Sequence, residues 1–136
     1  MHGWQIGPLA KQAAVAAGYI LANYDRYVYA FGGMGCYWYG LAEVGTCPTQ
    51  MWVHNNVSSG VFAHELGHNL GLWHAHSIAC WNGAPVCIER NEGYFGEYGD
   101  TFDTMCYTTA GHYNAYEKAR LWWISRRPEA GGSARS

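Results

Sequence analysis

One stretch, VFAHELGHNLGLWHAHS, from Val61 to Ser77, limits what this chain can fold into more than any other, because it crowds His64, His68, His74 and His76 into one segment. His64 and His68 stand four apart, so on an α-helix both side chains share one face a turn apart and can grip one ion. Glu65 follows His64 directly, off the ligand pair by one position, where a carboxylate can serve as a base without displacing a ligand. A continued helix would carry His74 away from that ion. Gly71 can take the left-handed conformation that ends a helix and turns the chain back, which returns His74 to the same point.

Three neutral nitrogen donors with a fourth position open to water form the coordination of a catalytic zinc, whereas structural zinc sites are closed by four protein ligands. HELGHNLGLWH satisfies H-E-x-x-H-x-x-G-x-x-H at every fixed position. The expected chemistry is peptide hydrolysis through a metal-activated water with Glu65 as general base.

The chain of 136 residues suits one domain with one core. Its net charge of -2 and charged fraction of 13% give no electrostatic reason to expect nucleic acid. The longest apolar run, Ala13 to Ala22, is broken by Gly18 and is far shorter than the roughly 20 residues of a membrane span. With 18 Gly, 11 Tyr and 7 Trp, the fold is expected to be loop-rich and held by large aromatics. Five cysteines in so small a domain point to an oxidising, extracellular compartment. No signal segment opens the sequence, so the expectation is a secreted protein from which signal and any pro-segment have been removed. A monomer is expected, with residues 1–127 as the domain and 128–136 as a flexible tail.

Leu9, Ala13, Ala16 and Ile20 recur at helical spacing behind Pro8, which predicts a first helix from about Pro8 to Asn23 with that stripe inward. YDRYVYAF, Tyr24 to Phe31, alternates and ends at Gly32 and Gly33, so it reads as a strand. Further strands are expected around Tyr39 to Val44 and Met51 to His54. Ser58 or Ser59 caps the metal helix, which runs from near Gly60 to Gly71. Ala75 to Gly111 reads as a cysteine-braced loop region. A last helix spans His112 to Ser125, with Tyr116, Ala119 and Trp123 inward and Glu117 and Lys118 facing water. The fold class is α+β: a small twisted sheet, an active-site helix, a first helix and a C-terminal helix.

The resemblance of the chain extends beyond the zinc motif. The sequence looks like a metzincin zinc endopeptidase and most resembles the gametolysin family, whose members are similar to it, in the same order, in YDRYVYAF, GLAEVG, HELGHNLGLWHAHS, EYGDTFDTM and GHYNAYEKARLWW. The resemblance implies a cleft with zinc at its floor, a short upper sheet and a methionine-containing turn under the metal, matched by Met105 in DTMCY. Such a methionine packs a thioether beneath the imidazoles. Tyr107 occupies the position where some other metzincins carry a tyrosine that contacts zinc or steadies the oxyanion; a surface or core tyrosine is the alternative. GLAEVG, Gly40 to Gly45, resembles the edge strand beside which a protein or peptide substrate is laid. Cys106 stands where glycine commonly follows the turn methionine, and Trp122 replaces a small residue in the final helix. A first strand that the family places before the opening helix is missing.

Cys80 with Cys87 and Cys36 with Cys47 are the most economical bridges, although four cysteines allow three pairings, and Cys106 is left over. His2, His54, His76 and His112 lack ligand spacing. Glu97, Asp100 and Asp103 could bind calcium, but their spacing fits no recognised loop and turn capping is the alternative. Two other functions stay open at this point: a catalytically silent binding module that keeps zinc structurally, and a zinc amidase acting on a non-protein amide.

Overall fold

The computed structural model describes residues 5–33, 35–84, 90–107 and 111–124. The tail 128–136, Ser125, Cys87 and His2 lie outside the described residues.

A three-stranded sheet is built from β1 (Arg26–Phe31), β2 (Gly40–Ala42) and β3 (Thr49–His54) in the order β1-β3-β2. β3 is central. It runs parallel to β1, with Arg26 opposite Thr49 and Phe31 opposite His54, and antiparallel to β2, with Gly40 opposite Val53 and Ala42 opposite Met51. TQMWVH is nearly continuously buried, as a strand flanked on both edges and covered by helices must be. β2 is shorter than the Tyr39 to Val44 expected, because the ladder beyond Ala42 gives way to the Glu43 side chain, which accepts hydrogen bonds from both the Gln50 backbone and its amide.

The first helix, α1 (Ile6–Ala16), ends well before Asn23. Gly18 stops it at φ +89°: the Gly18 amide donates to the Val15 carbonyl and the Tyr19 amide to that of Ala14, closing a left-handed cap. The inward face is also not the predicted one. Leu9 is 52% exposed, whereas Gly7 is buried with the Tyr29 ring 3.3 Å from where a Cβ would sit. The small residue lets α1 lie close on the aromatic strand β1, and that proximity outweighs the larger but sparser aliphatic stripe.

The helix α2 (Ser59–Asn69) starts at Ser58, whose hydroxyl accepts from the Val61 amide at 3.4 Å. It ends in the same cap as α1: Gly71 sits at φ +94°, its amide donates to the His68 carbonyl, and the Leu72 amide donates to that of Gly67. Leu72 then enters the core with Ala75 and Met105, against half-buried Tyr113 and Leu121.

The region expected to be loop contains a second sheet, in which β4 (Ser77–Cys80) and β5 (Gly93–Gly96) pair antiparallel with Ser77 opposite Gly96. Strands of four residues are too short to show alternation in sequence. The last helix, α3 (Ala115–Arg120), is less than half the expected length. Asn114 caps it, its side chain accepting from the Glu117 amide; Glu117 is buried and Tyr116 and Trp123 are exposed, the reverse of the predicted faces. Trp122, at φ +60°, takes the left-handed position that glycine holds after α1 and α2. Cys36 and Cys47 are thiols, so the bridge expected across the edge strand is not formed. Cys80 is disulfide-bonded, and Cys87, its expected partner, lies outside the described residues. No described helix is long and apolar enough to cross a membrane.

The two glycine caps give a paired expectation. Gly18→Ala and Gly71→Ala each lower stability by roughly 1–2 kcal/mol, the cost of forcing a Cβ into the left-handed region. Urea unfolding measures both, and only Gly71→Ala weakens metal binding, since only that cap aims His74.

Candidate metal centre

Helix α2 places His64 and His68 on its inner face, and the turn at Gly71 brings His74 back to them. One nitrogen from each of the three rings lies within 4.8 Å of the others, so the group could hold a metal ion. The ring centroids stand 4.9 Å apart for His64 and His68, 4.9 Å for His68 and His74, and 5.5 Å for His64 and His74.

Each imidazole is oriented through Nδ1. That atom lies 3.0 Å from the Thr104 carbonyl in His64, 2.9 Å from the Leu72 carbonyl in His68 and 2.8 Å from Glu97 Oε1 in His74. A carbonyl or carboxylate accepts only, so Nδ1 must carry the proton and Nε2 is left with its lone pair. Three lone pairs gathered this way fit a divalent transition ion. Burial holds His64 below its ordinary value and His68 down to about 4, so both rings stay neutral and able to ligate near neutral pH.

Glu65 is buried, and burial pushes its carboxyl up to about 7. Gly40 of the edge strand lies against it, and a side chain at position 40 would collide with its carboxylate. Met105 is fully buried, with its sulfur against Gly67, one residue before His68. The Asp103 carboxylate accepts from the amides of Met105 and Asn114, both at 2.6 Å, and so fixes that turn.

Two cavities meet at His64, Glu65, Gly40 and Tyr98. One, of about 340 Å³, is walled by Tyr37, Trp38, Tyr39, Cys106 and Tyr107; the other, of about 250 Å³, by Leu41, Val44, His68, Trp73 and His74. Both run beside β2; His64 lines the two, and His68 and His74 line the second. Tyr107 is 83% exposed on the wall, its ring 6.3 Å from that of Tyr98.

Residues 9–75 match the family described as Metallo-peptidase family M12B Reprolysin-like. The match runs from α1 to one residue past His74 and, with the three-histidine group, supports a zinc metallopeptidase. No curated protein and no solved structure matches the chain.

Two residues beside this candidate site carry no signal of it in the sequence. The three acids that could bind calcium are engaged otherwise: Glu97 pairs with His74, Asp100 accepts from Phe102 and Asn114, and Asp103 accepts from Met105 and Asn114. Tyr98 places its ring 3.9 Å from that of His74. Neither lies at a motif spacing from the histidines. Of the other histidines, His54 is buried in β3 between Phe31 and Trp38, His76 stacks on Phe95, and His112 pairs with Asp103 through the backbone.

The two buried ionisable types act oppositely on the metal-free protein. His68, depressed from 6.5 to about 4, contributes stability at neutral pH that is lost as pH falls through that window. Glu65, raised from 4.5 to about 7, contributes stability at acid pH that is lost as pH rises through its window. Glu65→Gln, which keeps the shape and removes the charge, is therefore expected to make the metal-free protein more stable than wild type at pH 8. Urea midpoints in chelator check this, and equal midpoints would refute it.

Proposed function

We propose that this chain is the catalytic domain of a secreted, monomeric zinc endopeptidase of the metzincin type, with the gametolysin family as the nearest pattern. The observation that carries the reading is the shared orientation of His64, His68 and His74, whose Nδ1 atoms are all committed to acceptors on the far side of the rings. A bundle of core histidines has no need of three aligned lone pairs.

Zinc, when bound there, polarises a carbonyl and lowers the pKa of its water to about 7. Glu65, at the junction of the two cavities, accepts the proton of the attacking water at its carboxylate and returns it to the leaving amine. Its burial supports this work, because a carboxyl pushed up to about 7 is matched to proton transfer near neutral pH. The substrate peptide adds as a strand along Gly40 to Gly45, its backbone held by the free edge of β2. Tyr107, on the wall of the same cavity, is the candidate donor to the oxyanion, and Met105 and Gly71 support the ligands.

Glu65→Gln is expected to retain stoichiometric zinc while kcat/KM on a protein substrate falls about 10²–10⁴-fold. Undiminished cleavage would remove Glu65 from the mechanism. Cleavage of a small acyl amide without cleavage of any protein would reassign the site to an amidase.

A further inference from the structure

The three rings are not held alike. His64 and His68 ride on a helix, are buried, and give Nδ1 to backbone carbonyls. His74 lies beyond the helix end, is only half-buried, and gives Nδ1 to a side chain, Glu97. Its orientation therefore depends on what positions Glu97.

A four-residue turn does so. The Gly99 amide donates to the Gly96 carbonyl at 3.2 Å, which puts Glu97 and Tyr98 at the two central positions. Both ends of the turn are fastened to the segment that carries His74: Gly96 pairs with Ser77 at the end of the small sheet, and the Asp100 amide donates to the Ala75 carbonyl at 3.1 Å. Gly99 packs so closely on Ser77 that a Cβ there would collide with it. The turn is thus locked to residues 75–77, and its two central side chains meet the imidazole from two directions, Glu97 at Nδ1 and the Tyr98 ring across its face.

We propose that turn 96–99 is a clamp for the third metal ligand, with Glu97 as the positioning residue that fixes the tautomer and aim of His74. The proposal rests on the zinc-site reading above. A carboxylate behind a ligand imidazole selects the Nδ1–H form and makes Nε2 a better donor, and loss of such a partner typically weakens metal affinity 10–100-fold. The Glu97 side chain is 62% exposed, so its truncation leaves the fold in place.

Zinc affinity by chelator competition, and the His74 tautomer by ¹⁵N NMR of the metal-free protein at pH 8, test this in wild type, Glu97→Ala and Glu97→Gln. Expected are a 10–100-fold loss of affinity in Glu97→Ala together with a shift of His74 away from Nδ1–H. Glu97→Gln, which keeps an acceptor oxygen, should fall between. An affinity in Glu97→Ala within twofold of wild type overturns the clamp, as does a loss of affinity with the tautomer unchanged, or a Gln variant as weak as Ala. Wild-type protein that takes up no stoichiometric zinc overturns the zinc-site reading itself, and the clamp with it.

Discussion

The constraint on which the rest depends is the reversal of the chain at Gly71. A helix can present two histidines to a point but cannot present a third six residues on, so the backbone must leave the helix without leaving the neighbourhood. Leu72 accomplishes this with both of its backbone groups. Its amide caps α2 by donating to Gly67, its carbonyl receives His68 Nδ1, and its side chain, 1% exposed, is seated in the core. Helix termination, ring orientation and apolar burial converge on one residue, so disturbing one disturbs the others.

A second segment closes the arrangement from below. The turn through Asp103 and Met105 supplies the Thr104 carbonyl to His64 and the Met105 carbonyl to the Ala75 amide, which links the helix to the strand that follows His74. Asp103, fully buried, holds that turn by accepting two amides, and Gly67 leaves the room that the Met105 sulfur fills. Beside Val61, the buried side chains of α2 are thus the polar ones of His64, Glu65, His68 and Asn69. Each ring and amide there is paired with backbone from a different part of the chain: Thr104, Leu72, and for Asn69 the carbonyls of Glu43 and Gln50.

The parts legible in the sequence were those encoded by short-range spacing. The four-residue step from His64 to His68, the glycine at 71, the strand before Gly32 and the serine cap of α2 all express local geometry, and the elements appear where those signals place them. What failed depended on partners far along the chain. The inward face of α1 was set by the close approach of Gly7 to Tyr29, and the cap residue of α3, Asn114, is itself held by the Asp103 carboxylate in an earlier turn. The small second sheet, the unbridged Cys36 and Cys47, and the pairing of Glu97 with His74 across 23 positions leave no periodic trace. Gly18 and Gly71 end their helices by the same left-handed cap, but only Gly71 is marked in the sequence by its place between His68 and His74, whereas Gly18 interrupts an apolar stripe that continues to Ile20.

Gly40 shows how a residue can matter through an absence. It has no side chain, and the carboxylate of Glu65 occupies the volume where one would stand. A systematic replacement of cleft residues would therefore score position 40 among the most sensitive, and a reader looking for a side chain to account for it would find none. What the edge strand cedes there is space, given to the one acid that the cleft is built around.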